Sequence, residues 1–94
     1  MSLYNMAWAY YSKKDYNKAL AKYQEALNTD PRTLLRPQIE KNIGLIYFDQ
    51  DSLLEAIRHF RKAVELDSLL VDAQFLLGQC YYRTEDHKNA KKAF

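Results

Sequence analysis

Sheets, covalent staples and flexible linkers all need residues that this chain hardly has. Of its 94 residues, two are glycine, two are proline and one is cysteine. A sheet protein needs turn residues at short intervals, whereas helices run long without them, so the scarcity points to an all-α chain. The lone Cys80 can close no disulfide within the chain and supplies no cysteine-rich metal site, so the fold must rest on its core. An excess of charge of one sign is also missing. Fourteen Lys and Arg against twelve Asp and Glu leave a formal charge of +2, short of the dense basic surface that a phosphate backbone attracts, and nucleic acid is not an expected partner. No long apolar run and no charged-then-apolar opening segment occurs, so neither a membrane span nor an export signal is expected. The compartment stays open on these grounds, with a cytoplasmic setting favoured. A domain of this size buries only about two thirds of its unfolded surface, which leaves little room for a catalytic cleft.

What the chain does have is helical periodicity. Apolar residues recur three and four apart: Leu3, Met6, Ala7, Tyr10; Tyr16, Ala19, Leu20, Tyr23, Ala26, Leu27; Ile39, Ile43, Tyr47; Leu53, Ala56, Ile57, Phe60, Ala63, Val64; Phe75, Leu77, Gly78, Tyr81; and Ala90, Phe94. Start and stop signals divide this pattern into six helices, over about 2–13, 16–28, 37–49, 53–66, 69–83 and 87–94. Asp15 is placed to cap the second helix, and Ser52 with Glu55 reads as a capping box for the fourth. Asp30-Pro31 stops the second helix, because proline disfavours the α region for the residue before it. Pro37 suits a first helical turn, where a missing N–H costs nothing.

The chain also repeats itself. Ala19-x3-Tyr23 aligns with Ala56-x3-Phe60 and with Ala90-x3-Phe94, at spacings of 37 and 34 residues. The same offsets align Met6-Ala7-x2-Tyr10 with Ile43-Gly44-x2-Tyr47 and with Leu77-Gly78-x2-Tyr81. Both glycines thus fall at one repeat position and Ala7 at its third copy. Small residues at fixed spacing are what two antiparallel helices need in order to cross closely, with the large aromatics filling the space between neighbours.

With these motifs the chain resembles the tetratricopeptide repeat family, whose pattern W-x2-L-G-x2-Y, A-x3-F, P it follows in three units over nearly its whole length. The resemblance implies one domain over 1–94, a short α-solenoid of antiparallel helical hairpins in a right-handed superhelix, with repeats at about 1–33, 37–70 and 71–94. Leu3, Glu40 and Gln74 stand where the family often has tryptophan, and Ser68 replaces the terminal proline that Pro31 provides. Three extra residues near Leu34-Leu35-Arg36 lengthen the first junction. The third unit reaches only part of its second helix, from which self-association as a homodimer, or continuation in a longer chain, is expected.

Within each first helix a second stripe lies beside the packing positions. Tyr4, Trp8 and Tyr11 sit at i, i+4 and i+7; their counterparts are Lys41, Leu45 and Phe48, then Phe75, Gln79 and Tyr82. First helices line the concave side in the family, so the resemblance places these nine residues in a groove, with Asn5, Asn42, Asp49 and Arg83 near its edges. Contiguous exposed apolar surface marks an interaction site, and Trp and Tyr give large contact area at small entropy cost. The same residues could instead be buried between neighbouring units as packing. On the groove reading, Trp8 and Phe48 can be truncated at little cost in stability.

The expected function is therefore a protein-interaction scaffold that takes a partner's peptide segment into an aromatic groove. The alternative is a structural or oligomerisation segment of a longer repeat array. Family members that hold the acidic C-terminal tails of chaperones use lysine, arginine and asparagine on the first helices; here those positions hold Tyr4, Trp8, Asn42, Asp72 and Leu76, of which only Asn42 matches, so such tails are not expected. His59 lies among Arg58, Arg61 and Lys62 and reads as solvated, His87 has no ligand cluster near it, and Cys80 aligns with apolar positions as a buried, inert thiol. Lys13-Lys14, Arg58 to Lys62 and Lys88 to Lys92 read as solvated outer faces. With no phosphate loop, nucleophile elbow or carboxylate pair, neither enzyme activity nor a metal or other cofactor is expected.

Overall fold

The computed structural model describes the backbone of residues 2–93 and the side chains of residues 2–85. Five helices follow one another: α1 (Leu3–Ser12), α2 (Tyr16–Thr29), α3 (Arg36–Asp49), α4 (Leu53–Leu66) and α5 (Val71–Ala93). No strand occurs among the described residues. The ends follow local chemistry. Ser2 accepts from the Asn5 N–H at 3.1 Å and Asp15 from the Lys18 N–H at 3.5 Å. Pro37 sits in the first turn of α3, and α2 stops at Asp30, before Pro31. Ser52 occupies the expected cap position of α4, but its side chain makes no capping bond.

The two hairpin turns are three residues long and built alike. Lys14 and Asp51 adopt left-handed conformations (φ 63° and 61°). The Asp15 N–H returns to the Tyr10 carbonyl at 2.9 Å and the Ser52 N–H to the Tyr47 carbonyl at 2.8 Å, so the residue that closes one helix also stands at the N-cap position of the next. A left-handed non-glycine residue costs about 1–2 kcal/mol, which the hairpin contacts behind each turn must offset. Between α2 and α3 the extra residues form two successive turns, Thr33 N–H to Asp30 O and Arg36 N–H to Thr33 O, and leave Leu34 fully in solvent.

Packing follows the repeat. One core cluster joins Ala7 of α1, Ala19 and Tyr23 of α2, and Ile39, Ile43 and Ile46 of α3. A second joins Leu53, Ala56 and Phe60 of α4 to Cys80 of α5, with Leu45, Tyr47, Phe48, Leu76 and Leu77 packed around it. Ala56 and Phe60 are fully buried, and Gly44 is buried opposite them: a Cβ there would stand 2.6 Å from Phe60 Cε1.

The sequence reading is corrected at the third unit. Helices over 69–83 and 87–94 are expected, yet the backbone continues without a break from Val71 to Ala93. The positions equivalent to the two turns are Thr84-Glu85-Asp86; like Lys13-Lys14-Asp15 and Gln50-Asp51-Ser52 they contain no glycine, asparagine or proline, so local sequence does not force a turn and packing behind it must hold it. The expected places of His87, Ala90, Phe94 and Lys88 to Lys92 lie outside the residues whose side chains are described. Gly78, the repeat partner of Gly44, consequently differs from it: nothing among the described residues lies within 4 Å of where its Cβ would be.

The two glycines should respond oppositely to one methyl group. Gly44→Ala forces the Phe60 ring to shift and should cost about 1–3 kcal/mol, even though alanine is the better helix former. Gly78→Ala meets open space and should gain about 0.5–1 kcal/mol. Urea denaturation followed by circular dichroism measures both; equal effects at the two positions would contradict the crossing geometry.

Candidate peptide-binding face

The first helices are joined along one side of the molecule by the tips of long side chains. Between α1 and α3, Asn42 Nδ2 donates to Tyr4 Oη at 3.2 Å, and the Tyr11 hydroxyl donates to Asp49 Oδ2 at 2.8 Å. The Tyr16 hydroxyl, from α2, reaches the same carboxylate oxygen at 3.3 Å. Burial, and then the Asp49 carboxylate, push the Tyr11 phenol well above its ordinary range, so it remains a donor at any physiological pH. Between α3 and α5, Lys41 Nζ lies 3.8 Å from Asp72 Oδ2, and the Arg83 guanidinium stands 4.2 Å over the Phe48 ring. These contacts place α1, α3 and α5 in sequence, as the stripe requires.

The nine stripe residues divide by exposure. Trp8 is 46% exposed, Phe75 65% and Tyr82 68%. Tyr4, Tyr11, Lys41, Leu45, Phe48 and Gln79 are half-buried. Trp8 and Tyr11 form a continuous aromatic surface, ring centroids 5.4 Å apart and inclined by 30°. Tyr4 sets its edge on Tyr23 at 6.0 Å, and Phe48 is edge-on to Phe60 at 6.4 Å. Part of the stripe thus faces outward while part fastens the hairpins, and the expectation that Phe48 can be truncated at little cost is revised accordingly. Of the edge residues, Asn5 is exposed and Asn42 is buried beneath Tyr4.

The opposite side of the molecule has another character. Arg58, Arg61 and Lys62 are exposed on α4, and charged residues pair along their own helices, Lys22 with Glu25 at 3.4 Å and Arg58 with Glu55 at 3.1 Å. Such exposed pairs contribute little to stability. Shallow clefts of about 290 Å³ and 220 Å³ open here around Arg36, Glu40 and Lys62. Among the described residues no group of His, Cys, Asp and Glu could hold a metal ion, and no helix is long and apolar enough to cross a membrane.

Two single residues settle differently. Cys80 is fully buried, and burial pushes its thiol up to about 11, with Arg83 acting weakly the other way. His59 is not solvated: it is 6% exposed, lies 3.3 Å from Glu40 Oε1 through Nδ1, and stacks on Tyr47 at 5.6 Å. Its sequence neighbours misled, because the basic residues around it point elsewhere. The signal lay at helical spacing, since Ala56, His59, Phe60 and Ala63 share the buried face of α4. Burial alone would raise the Glu40 carboxyl; the His59 hydrogen bond and charge, with Lys62 and Arg36, outweigh it and lower the pKa.

The family model for the tetratricopeptide repeat matches residues 1–33, and a second TPR repeat model matches residues 44–84. The chain is similar to the BBSome complex member BBS4 homolog of Drosophila melanogaster, 32% identical over 79 residues that cover 84% of this chain and 16% of that protein. It is also similar to the intraflagellar transport protein 88 homolog of Homo sapiens, 29% identical over 92 residues, 96% of this chain and 11% of that protein. The chain spans less than a fifth of the length of either relative.

Two substitutions on the stripe should separate fastening from exposure. Phe48→Ala removes a ring held between Phe60 and Arg83 and should cost about 2 kcal/mol or more, whereas Trp8→Ala should cost less than about 1 kcal/mol. Thermal melts of both variants check this. A carboxyl with a lowered folded pKa stabilises fully above its unfolded value, here 4.5, and loses that contribution as pH falls through the folded value. Glu40→Gln should therefore flatten the fall in stability below pH 4.5, as read from urea midpoints across an acid series.

Proposed function

Because the chain belongs to the tetratricopeptide repeat family, and so carries a protein-interaction scaffold, we propose that it binds a peptide segment of a partner protein along the aromatic side of α1, α3 and α5. The observation that carries this reading is the outward pair Trp8–Tyr11, an indole 46% exposed against a half-buried phenol. A large rigid aromatic left half in water beside further exposed rings is the residue type that dominates binding energy at interfaces. The charges along this side are already engaged, Lys41 with Asp72 and Arg83 with Phe48. The ligand is accordingly an apolar or aromatic segment of low net charge. An acidic chaperone tail does not fit this side, since Asn42, the one matching clamp residue, is buried under Tyr4. The work is binding alone, without chemistry on the ligand.

A second reading treats the chain as a structural segment of a longer repeat array. It is favoured by the small share of each relative that the chain spans, 16% and 11%.

Trp8 is the only tryptophan, so its fluorescence reports directly on this side. Peptides selected from a displayed library should shift its emission to shorter wavelength on binding. Trp8→Ala, which has no tryptophan and is followed with a dye-labelled peptide, should then weaken binding at least tenfold, about 1.4 kcal/mol, at a stability cost below about 1 kcal/mol. Peptides that bind without moving the emission and equally well to Trp8→Ala would place the site elsewhere, and no selectable binder at all would favour the structural reading.

A further inference from the structure

On the aromatic side Lys41 pairs with Asp72 and Arg83 covers the Phe48 ring, but Asp49 has no cation. Among the described residues it forms no ion pair. Its Oδ2 accepts from the Tyr11 hydroxyl at 2.8 Å and from the Tyr16 hydroxyl at 3.3 Å, while Oδ1 accepts from none of the described residues and the side chain is exposed. Two neutral phenols fix the place of a carboxylate without cancelling its charge. Lys13 and Lys14, in the adjoining turn, are exposed, and neither pairs with it.

The same junction carries the outward aromatic surface. Tyr11 lies against Trp8, ring centroids 5.4 Å apart, and the indole is 46% exposed. Rings beside a fixed carboxylate attract a cation in two ways, through the negative ring face and through the charge itself. The next junction shows what such a ring holds. At the repeat offsets of 37 and 34 residues, Tyr11 corresponds to Phe48 and Asp49 to Arg83. The second junction sets its own guanidinium 4.2 Å over Phe48. The first has a carboxylate in that position, and among the described residues no cation of the chain stands over Trp8 or Tyr11.

We propose that the corner formed by Trp8, Tyr11 and Asp49 receives one arginine of the bound segment, its guanidinium lying on the aromatic surface and donating to the Asp49 carboxylate. This rests on the peptide-binding reading and adds one anchor to it: the segment is apolar or aromatic elsewhere, and its single cation sits at the α1 end of the stripe. Arginine suits the corner better than lysine. A guanidinium is planar and weakly hydrated, stacks on rings and presents donors along its edge, whereas an ammonium is a strongly hydrated point charge that cannot lie flat on the rings while bonding at their margin.

Peptides selected from a displayed library on the full chain test the proposal, and they should be enriched in arginine at one position. One such peptide, dye-labelled, is titrated against the parent chain and Asp49→Asn, and again with that arginine replaced by citrulline, which keeps the planar shape and loses the charge. Asparagine retains an oxygen for the two phenols, so the fold should hold. Asp49→Asn should weaken the arginine peptide about tenfold or more and the citrulline peptide less than about threefold. Added salt should weaken the arginine peptide alone. An equal loss for both peptides, or none for either, overturns the proposal and leaves Asp49 as a positioning residue for Tyr11 and Tyr16. Should Asp49→Asn fail to fold, the citrulline exchange on the parent chain decides, because a cation site requires a loss of about tenfold and an apolar one requires none. Selected peptides that carry no arginine yet depend on Trp8 overturn the proposal and leave the peptide-binding reading standing. Peptides indifferent to Trp8→Ala, or no binder at all, overturn both.

Discussion

Two antiparallel helices can bring a ring against a backbone only where a side chain is missing, and the seat of Phe60 on Gly44 is the contact from which the rest is arranged. Close approach there brings Glu40 within reach of His59 and lays Tyr47 flat on the imidazole. It also turns Phe48 edge-on to Phe60 and so fixes the ring over which Arg83 of α5 stands. The buried acid and histidine are tolerable because each is the other's partner. A buried charge without a partner costs several kcal/mol, about 3–5 when one member of a pair is removed. A side chain at position 44 would part the helices and loosen the apolar crossing and this polar pair together.

How much of this was legible depended on whether the governing contact was local. The two complete hairpins and their order were readable, because helical periodicity and the 37- and 34-residue offsets are properties of the chain itself. Gly44 was readable as a crossing point for the same reason. His59 was not, because attention to the basic residues beside it hid the spacing to Ala56 and Ala63. The third hairpin carries the same motif as the others, yet its turn does not form. A turn through a left-handed lysine or aspartate is held by tertiary packing rather than by its own preference, so the motif alone does not decide whether the chain bends at Glu85. For the stripe, spacing showed which residues share a side of a helix, but the division between exposed Trp8 and half-buried Phe48 depends on neighbours supplied by other helices.

Apolar and polar contacts between successive units do different work. Ile39, Ile43 and Ile46 pack α3 against Ala7, Ala19 and Tyr23, which sets the spacing of the first two hairpins. In front of that core, the bonds of Tyr4 to Asn42 and of Tyr11 and Tyr16 to Asp49 set the register along the helix axes. Each such bond is worth only about 1 kcal/mol, but it is directional where the apolar contacts are not. The aromatic side can therefore keep its rings at fixed mutual positions while leaving Trp8 and Tyr82 in water. A pre-set platform of this kind binds without a large ordering cost.

Tyr82 and Phe75 belong to two surfaces at once. They end the aromatic stripe that α1 begins, and they flank Gly78, where nothing among the described residues lies within 4 Å of the place of a Cβ. A helix laid across Gly78 would bury these rings, as α4 buries the flank of Phe48 in the preceding hairpin. A ligand needing them free would then compete with that helix, whereas one confined to Trp8 and Tyr11 would not. Coupling of this kind is reciprocal by thermodynamic necessity: whatever factor such a covering helix takes from the affinity of the peptide, the peptide takes from the affinity of the covering helix. On the α5 end of the stripe a peptide and a covering helix would contend for the same rings, whereas Trp8 and Tyr11 on α1 lie clear of that contest.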